Sequence, residues 1–226
     1  MFTDWIEQRI RIAERLAEGE CGGSAAEAFL ILSSVLSGIA ADLWPGGRID
    51  RQRFVELWAR YTAPALLADL ISVPVLIHQL EQQERYAISD RLRANNGECF
   101  SPRGLPDTLV VTGEDVDILD SEVRAAAPEL TLSEIRSSSY PNLFYVHFRS
   151  GYVHEYQVGP LADSIVMSHT RSFITYGNFL EAPHRRINFE VSWVASVARS
   201  IVSRAEVDWN RRPIDRPMNW WLDGVA

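Results

Sequence analysis

Arg149, His154 and Tyr156 fall within one short stretch, R-S-G-Y-V-H-E-Y, with Ser150 and Glu155 inside it and His147 just before it. Histidine titrates near pH 6.5, so His154 is a residue type that can take or give a proton at neutral pH. A guanidinium binds phosphate oxygens in a two-pronged grip and stabilises the negative charge that develops there. The same residues also have plain structural uses. Arg149 can pair with an acid on another element, His154 can be a hydrogen-bonded buried histidine, and Tyr156 can be core with its hydroxyl satisfied.

What these side chains can do depends on the element that carries them. Residues 148–159, FRSGYVHEYQVG, alternate, are rich in aromatic and β-branched types and contain Ser150-Gly151. A β-hairpin turning at that pair fits them. A helix from about Asn142 to Tyr156 also fits, because Pro141 precedes it and helical segments flank it. On a helix, His147, Ser150 and His154 share one face while Arg149 and Tyr156 share another. Arg149 and His154 would then diverge by about 140°. His147 and His154 would stand about 10.5 Å apart along the axis, too far to ligate one metal.

The rest of the chain reads as helices, with few interruptions. Thr3 caps a helix over 4–18, and Ser24 caps the apolar run AAEAFLILSSVLSGIAADLW, expected to be the central buried helix. Asp50 caps a third helix, on which Phe54, Leu57, Trp58 and Tyr61 share a face. Pro64 starts a short helix and Pro74 a longer one to about Arg93. TLVVT can form a short strand, a small hairpin fits SIVMSHTRSFITYGNF, and a long helix is expected over 187–209. The tail pair Trp220-Trp221 is expected to pack on the body or on a partner subunit. The expected fold class is therefore all-α, a helical bundle in one domain over 1–226 with room for one small β-hairpin.

The motif resembles the R-x4-H-x-Y signature of the HepT-like branch of the HEPN superfamily, whose usual form is close to R-N-x-x-x-H-E-Y. An Arg-x4-His pair arises by chance about half a time in a chain of this composition, and adding the tyrosine lowers that to roughly 0.015. The resemblance implies a HEPN-like helical bundle that forms a homodimer and cleaves RNA without a metal, in a toxin or defence setting. It implies Arg149 as phosphate binder, His154 as general base or acid, and Tyr156 as the position where a nucleotidyltransferase antitoxin attaches nucleotides. Ser150, His147 and Glu155 are auxiliary polar positions. Ser150 departs from the family, which has Asn, Asp or His there. The alternative is a catalytically silent HEPN-like module that binds a nucleotide, RNA or protein partner.

Composition sets the remaining bounds. All 22 basic residues are arginine, and the net charge of −8 argues against a general nucleic-acid coat. The charge is uneven, since residues 183–216 hold seven Arg against four acids, and His184-Arg185-Arg186 is read as a patch at a helix start. Residues 107–134 carry eight acids against one arginine, including Asp115, Asp117 and Asp120, and are read as acidic first turns of solvated helices. They lack a calcium-loop pattern, so no metal and no cofactor is expected. Cys21 and Cys99 are read as free buried thiols. No basic stretch leads into an apolar run at the N-terminus, and the longest apolar runs are interrupted by Ser, Gly or Asp. A cytoplasmic protein with no membrane segment is the expectation.

Overall fold

Ser24 starts the element around which the others pack. Its side chain and that of Glu27 form a reciprocal capping box, and α2 follows over Ala25–Leu43. Phe29, Leu32, Leu36, Ile39, Ala40 and Leu43 on α2 are buried. Against them lie α1 (Phe2–Ala17), α3 (Asp50–Tyr61), α11 (Val191–Asn210) and the helical run that carries the motif. The computed structural model describes residues 2–95, 110–163, 174–177 and 185–224. With a mean hydropathy of 1.6, α2 is long and apolar enough to cross a membrane, contrary to the expectation that Ser and Gly would interrupt it; half of it is buried by the rest of the chain.

Between α3 and α11 the chain makes α4 (Val73–Gln82), α5 (Tyr86–Asn95), β1 (Val110–Thr112) and the short helices α6 (Gly113–Val116), α7 (Asp120–Ala126) and α8 (Leu132–Arg136). The run Tyr140–Leu143 (α9) passes directly into a π-helical turn, Phe144–Arg149, and then into α10, Ser150–Glu155. These three segments form one continuous helix, the site helix. Two strands, β2 (Ile174–Gly177) and β3 (Arg186–Phe189), complete a three-stranded antiparallel sheet in the order β1-β2-β3.

The fold is thus mainly helical, as expected, with a three-stranded sheet; of the run read as a small hairpin only Ile174–Gly177 is described, as β2, and the rest lies outside the described residues. Strand β2 pairs with Val110–Thr112 on one side and Arg186–Phe189 on the other. The helix expected from 187 therefore begins only at Val191, because Ile187 and Phe189 are buried and alternate with half-buried Arg186 and Asn188, a period-two pattern. Arg186 belongs to this strand rather than to a helix start; His184 lies outside the described residues, as does Cys99. The single helix expected from Pro74 to Arg93 is two helices, broken where Glu84 takes a left-handed backbone with φ 60°. Asp50 opens α3 without capping it by its side chain. Cys21 is free, as read, but exposed rather than buried.

Two apolar clusters result. The larger contains an aromatic stack in which Phe144 lies 5.2 Å from Trp58 and 5.5 Å from Phe148, and Phe148 lies 5.0 Å from Phe29 and 5.1 Å from Phe189. The smaller gathers Val73, Leu76, Ile77 and Leu80 of α4 with Ile88, Leu92, Val123 and Ile135. Trp220 meets Trp44 edge-on at 5.8 Å, and the Trp221 amide donates to the buried Glu56 carboxylate at 2.7 Å, so the tail packs on the body of its own chain.

Asp117 sits where the clusters meet and is only 7% exposed, unlike the solvated acid expected there. Its carboxylate accepts from the amide of Val73 at 3.0 Å and from the hydroxyls of Tyr140 and Tyr176. Replacing it with alanine strands three buried donors, so Asp117→Ala should lower unfolding free energy by about 3 kcal/mol or more. Asp117→Asn, which keeps the shape and one acceptor, should cost clearly less. Urea unfolding midpoints of the two variants check this order.

Candidate functional site

The site helix is fixed at three points. At its start, Tyr140 is tied to Asp117, and the buried Asn142 accepts from Arg51 Nε of α3 at 2.6 Å while donating to the Ser137 carbonyl. In its middle, Phe144, Phe148 and Tyr152 enter the aromatic core. At its end, Tyr156 leaves the helix with a left-handed backbone, φ 54°, and its hydroxyl donates to Glu27 at the head of α2. The helical alternative for residues 148–159 is therefore the one adopted, over Tyr140–Glu155, with Tyr156 as the residue that ends it.

The π-turn is not visible in the residue types. The Ser150 amide reaches back five residues to the Tyr145 carbonyl, which inserts one extra residue into the helical cycle. Beyond it the chain turns back. A Cβ on Gly151 would lie 2.4 Å from the Gln157 carbonyl oxygen, and one on Gly159 would lie 2.4 Å from His147 Nδ1. These two glycines let residues 157–159 lie against the helix, and the Gly159 amide donates to the His147 carbonyl at 2.8 Å.

That return separates residues expected to share a polar stripe. His147 is covered and 7% exposed, and its Nδ1 is buried without a hydrogen-bond partner. Burial pushes its imidazole down to about 4, so it is neutral at physiological pH. His154, one turn past the return, is exposed, and Ser150 between them is half-buried. The expected stripe is thus one buried histidine and one open one, because the π-turn changes the phase and the returning chain covers only one end.

Arg149 is half-buried, and its guanidinium lies over the Tyr145 ring at 5.1 Å. No acidic partner holds it among the described residues, so the ion-pair use open to it is not taken up here. Residues from Ser150 onward are α-helical, so Arg149 and His154 remain about 140° apart around the axis. The π-turn ends at Arg149 and does not bring the two together. Tyr156 is 58% exposed rather than core, and Glu155 is exposed and accepts from Gln157 at 3.1 Å. One chain therefore presents a cation and an imidazole on different sides of the same helix end, with a phenol beside them.

Two features of the site were missed in the residues. Arg51 and Asn142 are ninety-one positions apart, and no local spacing links them. Asp117 carried a readable signal: it stands between Val116 and Ile118, an acid inside an apolar triplet. Asp115 and Asp120 sit elsewhere, accepting from the Thr112 hydroxyl at 2.6 Å and pairing with Arg136 at 2.8 Å respectively.

Asp117 and His147 make opposite contributions to stability as pH changes. Burial raises the Asp117 carboxyl from 3.8 to about 7, so its contribution is present in acid and is lost as pH rises through 7. His147, lowered from 6.5 to about 4, contributes above 6.5 and loses that contribution as pH falls through 4. Between pH 5 and 6.5 the native carboxyl holds a proton the unfolded chain has released, while the native imidazole lacks one the unfolded chain is taking up. Stability should be nearly flat in that window. Asp117→Asn should unmask a loss on acidification, and His147→Leu a gain, each approaching about 1.4 kcal/mol per pH unit. Urea titrations at three pH values read both signs.

The clamp between Tyr156 and Glu27 should show in the titration of the phenol. The Tyr156 hydroxyl is pushed above its ordinary range, first by its hydrogen bond to Glu27. The Ser24 hydroxyl, and after it this same bond, hold the Glu27 carboxyl down to about 2. Glu27→Gln should therefore bring Tyr156 ionisation back towards pH 10, as followed by NMR of ring-labelled tyrosine.

Comparison with models of protein families, with curated proteins and with solved structures finds no match to this chain.

Proposed function

We propose that the chain is a metal-independent endoribonuclease of HEPN type that works as a homodimer on single-stranded RNA. The observation that carries this reading is the placement of the motif. Arg149, His154 and Tyr156 lie at the water-facing end of a helix whose other faces are held in the core, and none of the three is buried. His154 is free to exchange a proton with a substrate 2′-OH or leaving oxygen, and Arg149 supplies a fixed positive charge for the phosphorane. The 140° between them asks for a second copy, so that the arginine of one chain and the histidine of its partner line a shared cleft. Tyr156 is the regulatory position in this reading, open to a nucleotidyltransferase antitoxin once its hydroxyl leaves Glu27. The toxin or defence setting and the cytoplasmic location belong to the same proposal.

One observation favours the second reading, a silent HEPN-like module that binds a nucleotide, RNA or protein partner. Ser150 stands where the family has a longer amide, acid or imidazole. Its short side chain is half-buried beside a guanidinium already stacked on Tyr145.

The test is cleavage of single-stranded RNA by purified protein in the presence of a chelator, with cyclic phosphate ends on the products. His154→Ala should lower the rate by about two to four orders of magnitude. Arg149→Ala should cost roughly two to three orders. Melting temperatures should hardly move in either variant, because both side chains reach solvent. Cleavage that survives both changes, or that never appears in the wild type, would refute the nuclease and leave the binding module.

A further inference from the structure

A second arginine faces the same side of the site helix as Arg149, and nothing in the motif accounts for it. Arg51, in the first turn of α3, is exposed, yet its Nε is held at 2.6 Å by Asn142 Oδ1. Asn142 is a rigid anchor: it is 2% exposed, and its amide nitrogen is bonded to the Ser137 carbonyl. With Nε occupied, the two Nη groups of Arg51 remain, and they can form an end-on two-pronged grip on an oxyanion. Among the described residues no carboxylate neutralises this guanidinium. Its neighbour Asp50 is engaged by Arg53 instead.

Position relates it to the motif. One turn along α3 from Arg51, Phe54 meets Tyr145 at 5.3 Å, and Tyr145 in turn carries the Arg149 guanidinium at 5.1 Å. Asn142, Tyr145 and Arg149 follow one another along the site helix, so Arg51 and Arg149 stand on either side of Tyr145. Asn142 and Arg149 are seven positions apart, roughly two turns of the site helix.

We infer that Arg51, preset by Asn142, is a second phosphate-binding residue, and that Arg51 and Arg149 together hold the backbone of a single RNA strand across the site helix. The inference rests on the nuclease reading for its choice of ligand. It assigns Arg51 a binding role and no part in proton transfer. It also explains how a chain of net charge −8 can hold a polyanion: the contact is a short strip of unneutralised guanidinium groups and not a basic surface.

The experiment measures binding apart from cleavage, with a fluorescent single-stranded 2′-O-methyl RNA, which lacks the attacking hydroxyl, and the full-length chain. Anisotropy titrations over a range of salt compare the wild type with Arg51→Gln, Arg51→Lys and Arg149→Gln. Arg51→Gln should weaken binding about five- to tenfold and reduce the slope of log Kd against log salt by about 0.7. Arg51→Lys should keep the wild-type slope, because the charge stays, which separates a phosphate contact from a merely structural bond to Asn142. Wild-type affinity and slope in Arg51→Gln would overturn the inference, as would loss of the slope in Arg51→Lys. If cleavage persists and depends on Arg149 while Arg51→Gln binds normally, the inference fails and the nuclease stands. If binding depends on Arg51 and no cleavage occurs, the nuclease fails and the strip stands. A wild type that does not bind the oligonucleotide removes both.

Discussion

A carboxylate buried where two apolar clusters meet must find donors, and in this chain it finds them on segments far apart in sequence. Asp117 takes the amide of Val73 at the head of α4, the hydroxyl of Tyr140 at the head of the site helix and that of Tyr176 on β2. Ser72 joins the set by donating its hydroxyl to the Tyr176 oxygen at 2.8 Å while its own oxygen caps α4. Backbone bonds reinforce the same junction, with Ile71 donating to Ile118 at 2.9 Å and Ser72 to Ser138 at 2.8 Å. An unpaired polar group there costs far more than a paired one gains, so these segments come together jointly or not at all. The position of the site helix follows from that requirement, because its first residue is one of the donors.

What the junction fixes at one end, the aromatic core fixes in the middle. Phe144 and Phe148 point to the same side, their rings parallel and 5.5 Å apart, although the turn between them is π-helical. Beside this stretch Gly151 and Gly159 admit the returning chain, and His147 is sealed beneath it. Core packing thus decides which histidine is structural and which is open. His147 is neutral because water was removed from it; His154 keeps its exposure because the return stops short of it.

The legibility of these features follows their locality. The capping box of Ser24 and Glu27 and the apolar run behind it could be read directly, since both depend on residues three or four apart. Residues 148–159 were ambiguous for a physical reason. Their alternation is that of a strand, yet every second residue does not face one sheet; Phe148 and Tyr152 face Phe29 as a helical pair. β1 could be read in TLVVT, but the sheet could not, because each strand spans only three or four residues and β1 pairs with a segment distant in the chain. The buried role of Asp117 depends on Tyr140 and Tyr176, so no window around residues 107–134 contains it. Of the site, the motif residues could be named in advance, but their exposure could not, because it is set by where the chain returns after Gly151.

Charge is where local and global properties part most clearly. Arginines are numerous here, and many are committed: Arg199 bridges Glu7 and Glu14 of α1 with paired bonds, and Arg136 joins Asp120 to the Trp221 carbonyl. Such guanidinium groups hold helices together and offer little to a ligand, because an incoming phosphate would have to displace a carboxylate. A net charge therefore says little about what a particular surface can bind. The groups that matter are those held in place by neutral partners, an amide for Arg51 and an aromatic ring for Arg149. Neutral anchoring keeps the positive charge unspent while removing much of the side-chain freedom that binding would otherwise have to freeze. On an acidic protein, two arginines so held, one on α3 and one on the site helix, can keep a local positive charge that the chain as a whole does not have.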